Sequence, residues 1–205
     1  MIDFRCPECE ASYQLKANGH RLGKSVPNGA YKPKIDMIYA GIAPNWFFME
    51  YNGNDWLVKN MILVPAHFIT PELVQRRNPL KSTAERAGWV LSNILIGRLP
   101  FDARIPIILD GQEIPRADVR KSFQRFEFLK NKSLESKGWL ADILACVRVL
   151  PIEFSLSDAY AFEEKLAKLH PANRNVRPKI RQQLQILRDN GILEFIGRGR
   201  YRAIT

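Results

Sequence analysis

The chain has 205 residues, 46% hydrophobic and 25% charged, with a formal net charge of +10. That length suits one large domain or two small ones, the composition is that of a globular protein, and no apolar run reaches the length of a membrane span. The start lacks the basic and apolar regions of a secretory signal, and three cysteines build no disulfide framework, so the expected setting is intracellular, in the cytoplasm.

The first stretch, IDFRCPECEASYQLKA at residues 2–17, holds Asp3, a Cys-x-x-Cys pair (Cys6, Cys9) and Gln14-Leu15-Lys16. Strand side chains alternate, so a first strand presenting Asp3 and a second presenting Gln14 and Lys16 on one face has the layout of a PD-(D/E)XK-type nuclease site, with glutamine at the usual acid position. In that chemistry the residues at 3 and 14 hold Mg2+, and Lys16 serves the attacking water and offsets charge on the phosphorane. The pattern is short enough to arise by chance, and a surface aspartate and lysine is the plainer reading. A glutamine oxygen also brings Mg2+ no neutralising charge. The Cys6–Cys9 pair leaves three readings open, half of a zinc site that would need four ligands, a redox motif, or the remnant of something longer, and no βαβ context follows to support the redox one.

Farther along, NWFFMEY (45–51), MILVPAHFI (61–69) and RIPIILDG (104–111, with an Asp-Gly turn) read as strands. ADVRKSFQRFEFL (117–129) reads as an exposed amphipathic helix. Residues 1–132 are thus expected to form a mixed α/β domain. His20, His67 and His170 are scattered without a motif and read as structural or surface residues. Trp89 is open to two readings, a core aromatic or a face that accepts a base and its methyl group.

A second domain is expected at 134–205. GWLADILACVRVL (138–150) places Trp139, Ile143 and Val147 on one stripe of a helix of about 14 residues, with Cys146 near the core. Ser155 and Asp158 have capping-box spacing, and Ala159, Phe162, Leu166 and Leu169 continue a helical pattern that Pro171 ends. A third helix opens near Pro178, turns Ile180, Leu184 and Leu187 inward, and stops at Asn190-Gly191. Then Ile192–Ile196 and Arg200–Ile204 read as two strands joined by a tight turn. Three helices and a hairpin make a winged helix.

The charge is concentrated there. Eight basic residues lie between Arg174 and Arg202 against Asp189 and Glu194, so +6 of the net +10 falls in this segment. An excess of that sign suits a polyanion, whose counterions lysine and arginine displace. The third helix offers Lys179, Arg181, Gln182, Gln185 and Arg188 away from its apolar stripe, with Arg177 at its start. Arginine and glutamine bond bidentately to guanine and adenine edges in the major groove. Arg198, Arg200 and Arg202 on the hairpin would flank phosphates. The plainer alternative is a solvated basic face on a structural bundle.

KIRQQLQILRDNGILEFIGRGRYR (179–202), ERAGWVLSNI (85–94), RRNPL (76–80), NGAY (28–31) and NWFFMEYN (45–52) together resemble the dam-replacing (DpnI-type) family of restriction endonucleases, with similarity from residue 2 to residue 204. The resemblance implies a PD-(D/E)XK domain followed by a winged helix, acting on duplex DNA at GATC that carries N6-methyladenine. It assigns metal binding to Asp3 and Gln14, catalysis to both and to Lys16, and half of a four-cysteine zinc site to Cys6 and Cys9. The family's second Cys-x-x-Cys lies upstream of the aspartate, so either that segment precedes this chain in a longer protein or the zinc has been lost. The family carries an acid where Gln14 stands; Gln-x-Lys sites resemble those of Mrr-like nucleases. The implied cofactors are Mg2+, with Zn2+ held weakly, and the implied form is a monomer with no membrane partner. Two rivals belong to other classes: a methyl-DNA binding protein without nuclease activity, and a winged-helix transcription regulator.

Overall fold

A computed structural model describes residues 2–204. Contacts divide the chain into two compact units, residues 1–134 and 135–205.

The first unit runs β1 (Phe4–Arg5), β2 (Ser12–Asn18), β3 (Val26–Ala30), α1 (Tyr31–Tyr39), β4 (Asn45–Tyr51), β5 (Val58–Val64), β6 (Val74–Pro79), β7 (Val90–Ile94), β8 (Ile105–Leu109), β9 (Gln112–Glu113) and α2 (Arg116–Gln124). Six strands form a mixed sheet in the order β1-β2-β4-β5-β8-β9, and β3-β7-β6 form a second sheet. The parallel pair β2 and β4 sets Gln14 opposite Trp46 and Lys16 opposite Phe48. Parallel neighbours require a crossover, and here it contains β3 and α1. Trp46, Phe48 and Val64 from the central strands and Ile38 from α1 are all buried.

The apolar run 61–69 pairs only as far as Val64. Pro65 has no N–H for a ladder, and the chain turns into a 3-10 segment at Ala66–Phe68. Phe68 and Ile69 are still buried, so the rest of the run serves packing rather than pairing. Asp110 (φ 47°) and Gly111 (φ 79°) make the tight turn before β9. The helix expected over 117–129 ends at Gln124 and buries none of its residues. Phe126 packs against Phe68, ring centroids 5.2 Å apart, and takes the chain back to the core.

The second unit contains α3 (Leu134–Val147), β10 (Glu153–Ser155), α4 (Leu156–Tyr160), α5 (Glu163–Leu169), α6 (Val176–Asp189), β11 (Leu193–Gly197) and β12 (Arg200–Ala203). Trp139 and Ile143 of α3, Leu166 of α5, and Ile180, Leu184 and Leu187 of α6 close one core. The capping box forms: Ser155 Oγ accepts from the Asp158 N–H, and the Asp158 carboxylate accepts from the Ser155 N–H. The helix it starts is shorter than expected. Phe162 leaves helical geometry (φ −88°, ψ 4°), so the apolar spacing from Ala159 to Leu166 spans two short helices. The hairpin also gains a third strand, since β10 pairs with β12 in the order β10-β12-β11. Three residues are too few to give a periodic signal in sequence. The result is a winged helix-turn-helix.

Candidate active site and nucleic-acid interface

Gln14 and Lys16 lie two positions apart on β2 and share the face beside α1; Gln14 is buried and Lys16 half-buried. Asp3 stands just before β1, where its N–H donates to the Tyr13 carbonyl at 2.9 Å and its Oδ2 accepts from the Leu15 N–H at 2.8 Å. The three expected residues are therefore brought together. Burial pulls the Lys16 ammonium below its usual range, and the Asp3 carboxylate works against that shift.

A fourth residue enters from α1. Lys34 Nζ donates to Gln14 Oε1 at 2.6 Å. The two side chains belong to residues only 4% and 5% exposed. The same ammonium lies 5.4 Å from the centre of the Trp46 ring, a cation–π contact. Its pKa is lowered to about 8, first by burial and then by Lys16, with Asp3 opposing. Sequence reasoning missed Lys34 because a lysine in the polar segment YKPKIDMIY reads as solvated. The available signal was its spacing from Ile38, the other buried residue of α1.

This cluster does not fit Mg2+ as it is arranged. It offers one carboxylate, of which Oδ2 accepts from Leu15 and Oδ1 remains as the single oxygen for a metal, and one amide oxygen, which already accepts from an ammonium. Mg2+ takes near-octahedral oxygen ligands and is drawn to carboxylates, whereas here Asp3 faces both Lys16 and Lys34. The Lys16 charge already works against that of Lys34, and a divalent cation would add to the repulsion. Zinc is no better served. Among the described residues no group of three or more His, Cys, Asp or Glu could hold a metal ion. Cys6 and Cys9 lie on a tight turn in which the Glu10 N–H donates to the Cys6 carbonyl. Backbone N–H groups of Cys9 and Glu8 lower the Cys6 pKa, which favours a thiolate, but two thiolates leave half a tetrahedral shell empty.

A cleft of about 930 Å³ lies beside Cys6, Cys9, Tyr13, His67 and Phe123. Because Tyr13 alternates with Gln14, this cleft opens on the other face of β2. Trp89 is not a core side chain. It is 49% exposed, and the Arg86 guanidinium lies 4.9 Å from its ring centre.

In the second unit the basic residues fall into two groups. Arg181 and Gln182 of α6 are exposed opposite its buried stripe, and Gln185 is half-buried. Arg198 is exposed in the turn of the hairpin. Other charges are already partnered. Arg177 pairs with Glu163 at 2.7 Å, Lys179 with Glu135 at 3.4 Å, and Arg188 with Asp189 at 2.7 Å. Arg202 pairs with Glu153 and Glu194, and Arg200 lies 3.7 Å from Glu153. Lys179 is half-buried, less outward than its place in the sequence suggests. Gln183 is 1% exposed and belongs to the core.

Residues 1–132 match the DpnI model, the Dam-replacing family. The chain belongs to that family. Residues 135–203 match the family's C-terminal model, the Dam-replacing HTH domain, so the winged unit is the DNA-binding domain of a Dam-replacing protein. Arg181 and Gln182 lie on the exposed face of α6 in this domain. Among the described residues no helix is long and apolar enough to cross a membrane.

Proposed function

We propose that this Dam-replacing protein recognises duplex DNA at GATC carrying N6-methyladenine, with α6 in the major groove. Arg181, Gln182 and Gln185 face base edges there, while Arg198 and Arg200 lie along the phosphates. The observation that carries this reading is the exposed Arg181–Gln182 pair opposite the buried stripe of α6, in a domain of the family's DNA-binding type. Trp89, exposed in the first unit, is a second surface that suits a methylated base. The test is equilibrium binding of one GATC duplex, methylated and unmethylated, at fixed salt. Preference for the methylated duplex supports the reading; equal affinity for both, and for a duplex lacking GATC, rejects it.

A second reading adds Mg2+-dependent hydrolysis of phosphodiester bonds, as befits a family of endonucleases. Its support is the convergence of Asp3, Gln14 and Lys16. A half-buried lysine can offset charge on a phosphoryl group. The Gln14–Lys34 bond weighs against it, and binding that outlasts cleavage is the reading this pocket favours. A plasmid prepared with and without adenine methylation, incubated with Mg2+, separates the two: cutting of the methylated plasmid alone supports hydrolysis.

A further inference from the structure

The cost of burying Lys34 raises the question of what its charge does. An ammonium taken out of water is expensive unless it is paired and hydrogen-bonded. Lys34 is 4% exposed, yet among the described residues it makes no ion pair. Its compensation is one hydrogen bond to a neutral amide oxygen, at 2.6 Å, and the face of Trp46. Asp3 attracts it from farther away and Lys16 repels it. A positive charge is therefore fixed at the oxygen of Gln14, in a pocket where the Asp3 carboxylate that attracts it also accepts a backbone hydrogen bond through Oδ2.

We propose that Lys34 is a positioning residue that occupies the Gln14 oxygen and bars divalent cations from the Asp3–Gln14 pocket. The ammonium takes the acceptor that a metal ion would use, and its charge repels a second cation. Gln14 suits this arrangement because its oxygen accepts while its amide stays neutral. A glutamate there would close a buried ion pair with Lys34, so its carboxylate would not be free for a metal ion. Admitting a divalent ion therefore takes two changes together, loss of the ammonium and gain of a carboxylate at position 14. Lys34→Met keeps the length and apolar stem of the side chain and removes the charge; Gln14→Glu supplies the ligand. The inference concerns the first unit alone and holds whether or not the winged helix prefers methylated DNA.

The experiment uses Mn2+ as the probe, with free Mn2+ read by electron paramagnetic resonance, on the full chain and with folding checked by circular dichroism. Wild type and each single variant should show no saturable site in the low millimolar range. The double variant Lys34→Met with Gln14→Glu should bind one Mn2+ at least tenfold more tightly, and Asp3→Asn should remove that site. A folded double variant with no gain overturns the proposal. So does one saturable Mn2+ site in wild type that Asp3→Asn abolishes, and this arm decides even where the double variant fails to fold. Binding of methylated against unmethylated duplex is measured in parallel. Loss of that preference would reject the functional reading and leave the metal result standing.

Discussion

Arg202 on β12 is clamped by Glu153 on β10: Nη2 at 2.8 Å and Nε at 3.1 Å both donate to the same carboxylate oxygen. Its Nη1 donates to Glu194 on β11 at 3.1 Å, so one guanidinium ties the central strand of the wing to both neighbours. A charge already matched by two carboxylates releases few counterions on meeting DNA. Arg198, exposed in the turn of the hairpin and in no ion pair among the described residues, is available to do so. Arg198→Ala should therefore lower the slope of log K against log salt by about 1. Arg202→Ala should change that slope less. Filter binding or anisotropy over a series of salt concentrations measures both, and a larger change for Arg202→Ala would contradict the assignment.

On α6 the contrast lies between reading and holding. Arg181→Ala or Gln185→Ala should reduce discrimination between GATC and altered sites by about 1–3 kcal/mol, the usual worth of a bidentate base contact. Lys179→Ala should lower affinity for all duplexes alike and by less, because that ammonium is half-buried and tied to Glu135 at 3.4 Å. Competition with single-base variants of the site gives the comparison. Uniform losses for Arg181→Ala on specific and random DNA would remove α6 as the reader.

Ser155 ends β10 and starts α4, and its hydroxyl accepts from the Asp158 N–H at 3.1 Å. Ser155→Ala should cost about 1 kcal/mol through the lost cap. Because the chain has two units, the loss should appear in one transition of a urea titration and leave the other in place. A shift shared equally by both transitions would mean that the units unfold together.

The winged unit was more legible in sequence than the first unit, for a physical reason. A helix with a stripe such as Ile180, Leu184 and Leu187 repeats its signal over several turns, and Asn190-Gly191 punctuates its end. The second helix was misjudged because Phe162 keeps the apolar spacing while breaking the backbone geometry. β10 was missed because three residues carry no period. In the first unit the strands at 45–51 and 104–111 were visible, whereas the order of the six-stranded sheet rests on long-range pairing that local pattern does not contain. The candidate site divides the same way. Asp3, Gln14 and Lys16 follow from strand alternation within one short segment. Lys34 comes from another element, and only the crossover between β2 and β4 carries α1 to the Gln14 side chain.

That buried lysine also makes the stability of the first unit depend on pH. In the unfolded chain the Lys34 ammonium titrates near 10.5, and in the folded protein near 8, held down mainly by burial. Between those values the unfolded state binds a proton that the native state has released. Stability then rises with pH, since the slope follows protons bound in the unfolded minus the native state. Below about pH 8 both states hold the proton and Lys34 contributes no slope. Lys16, also lowered by burial, adds a slope of the same sign, and Tyr13, raised by burial, opposes it at higher pH. The useful window is therefore pH 8 to 9.5, and the useful quantity is wild type minus Lys34→Met. Urea unfolding of the first unit should show wild type gaining stability across this window and Lys34→Met gaining distinctly less. Parallel pH curves for the two proteins would show that Lys34 is not the group that titrates.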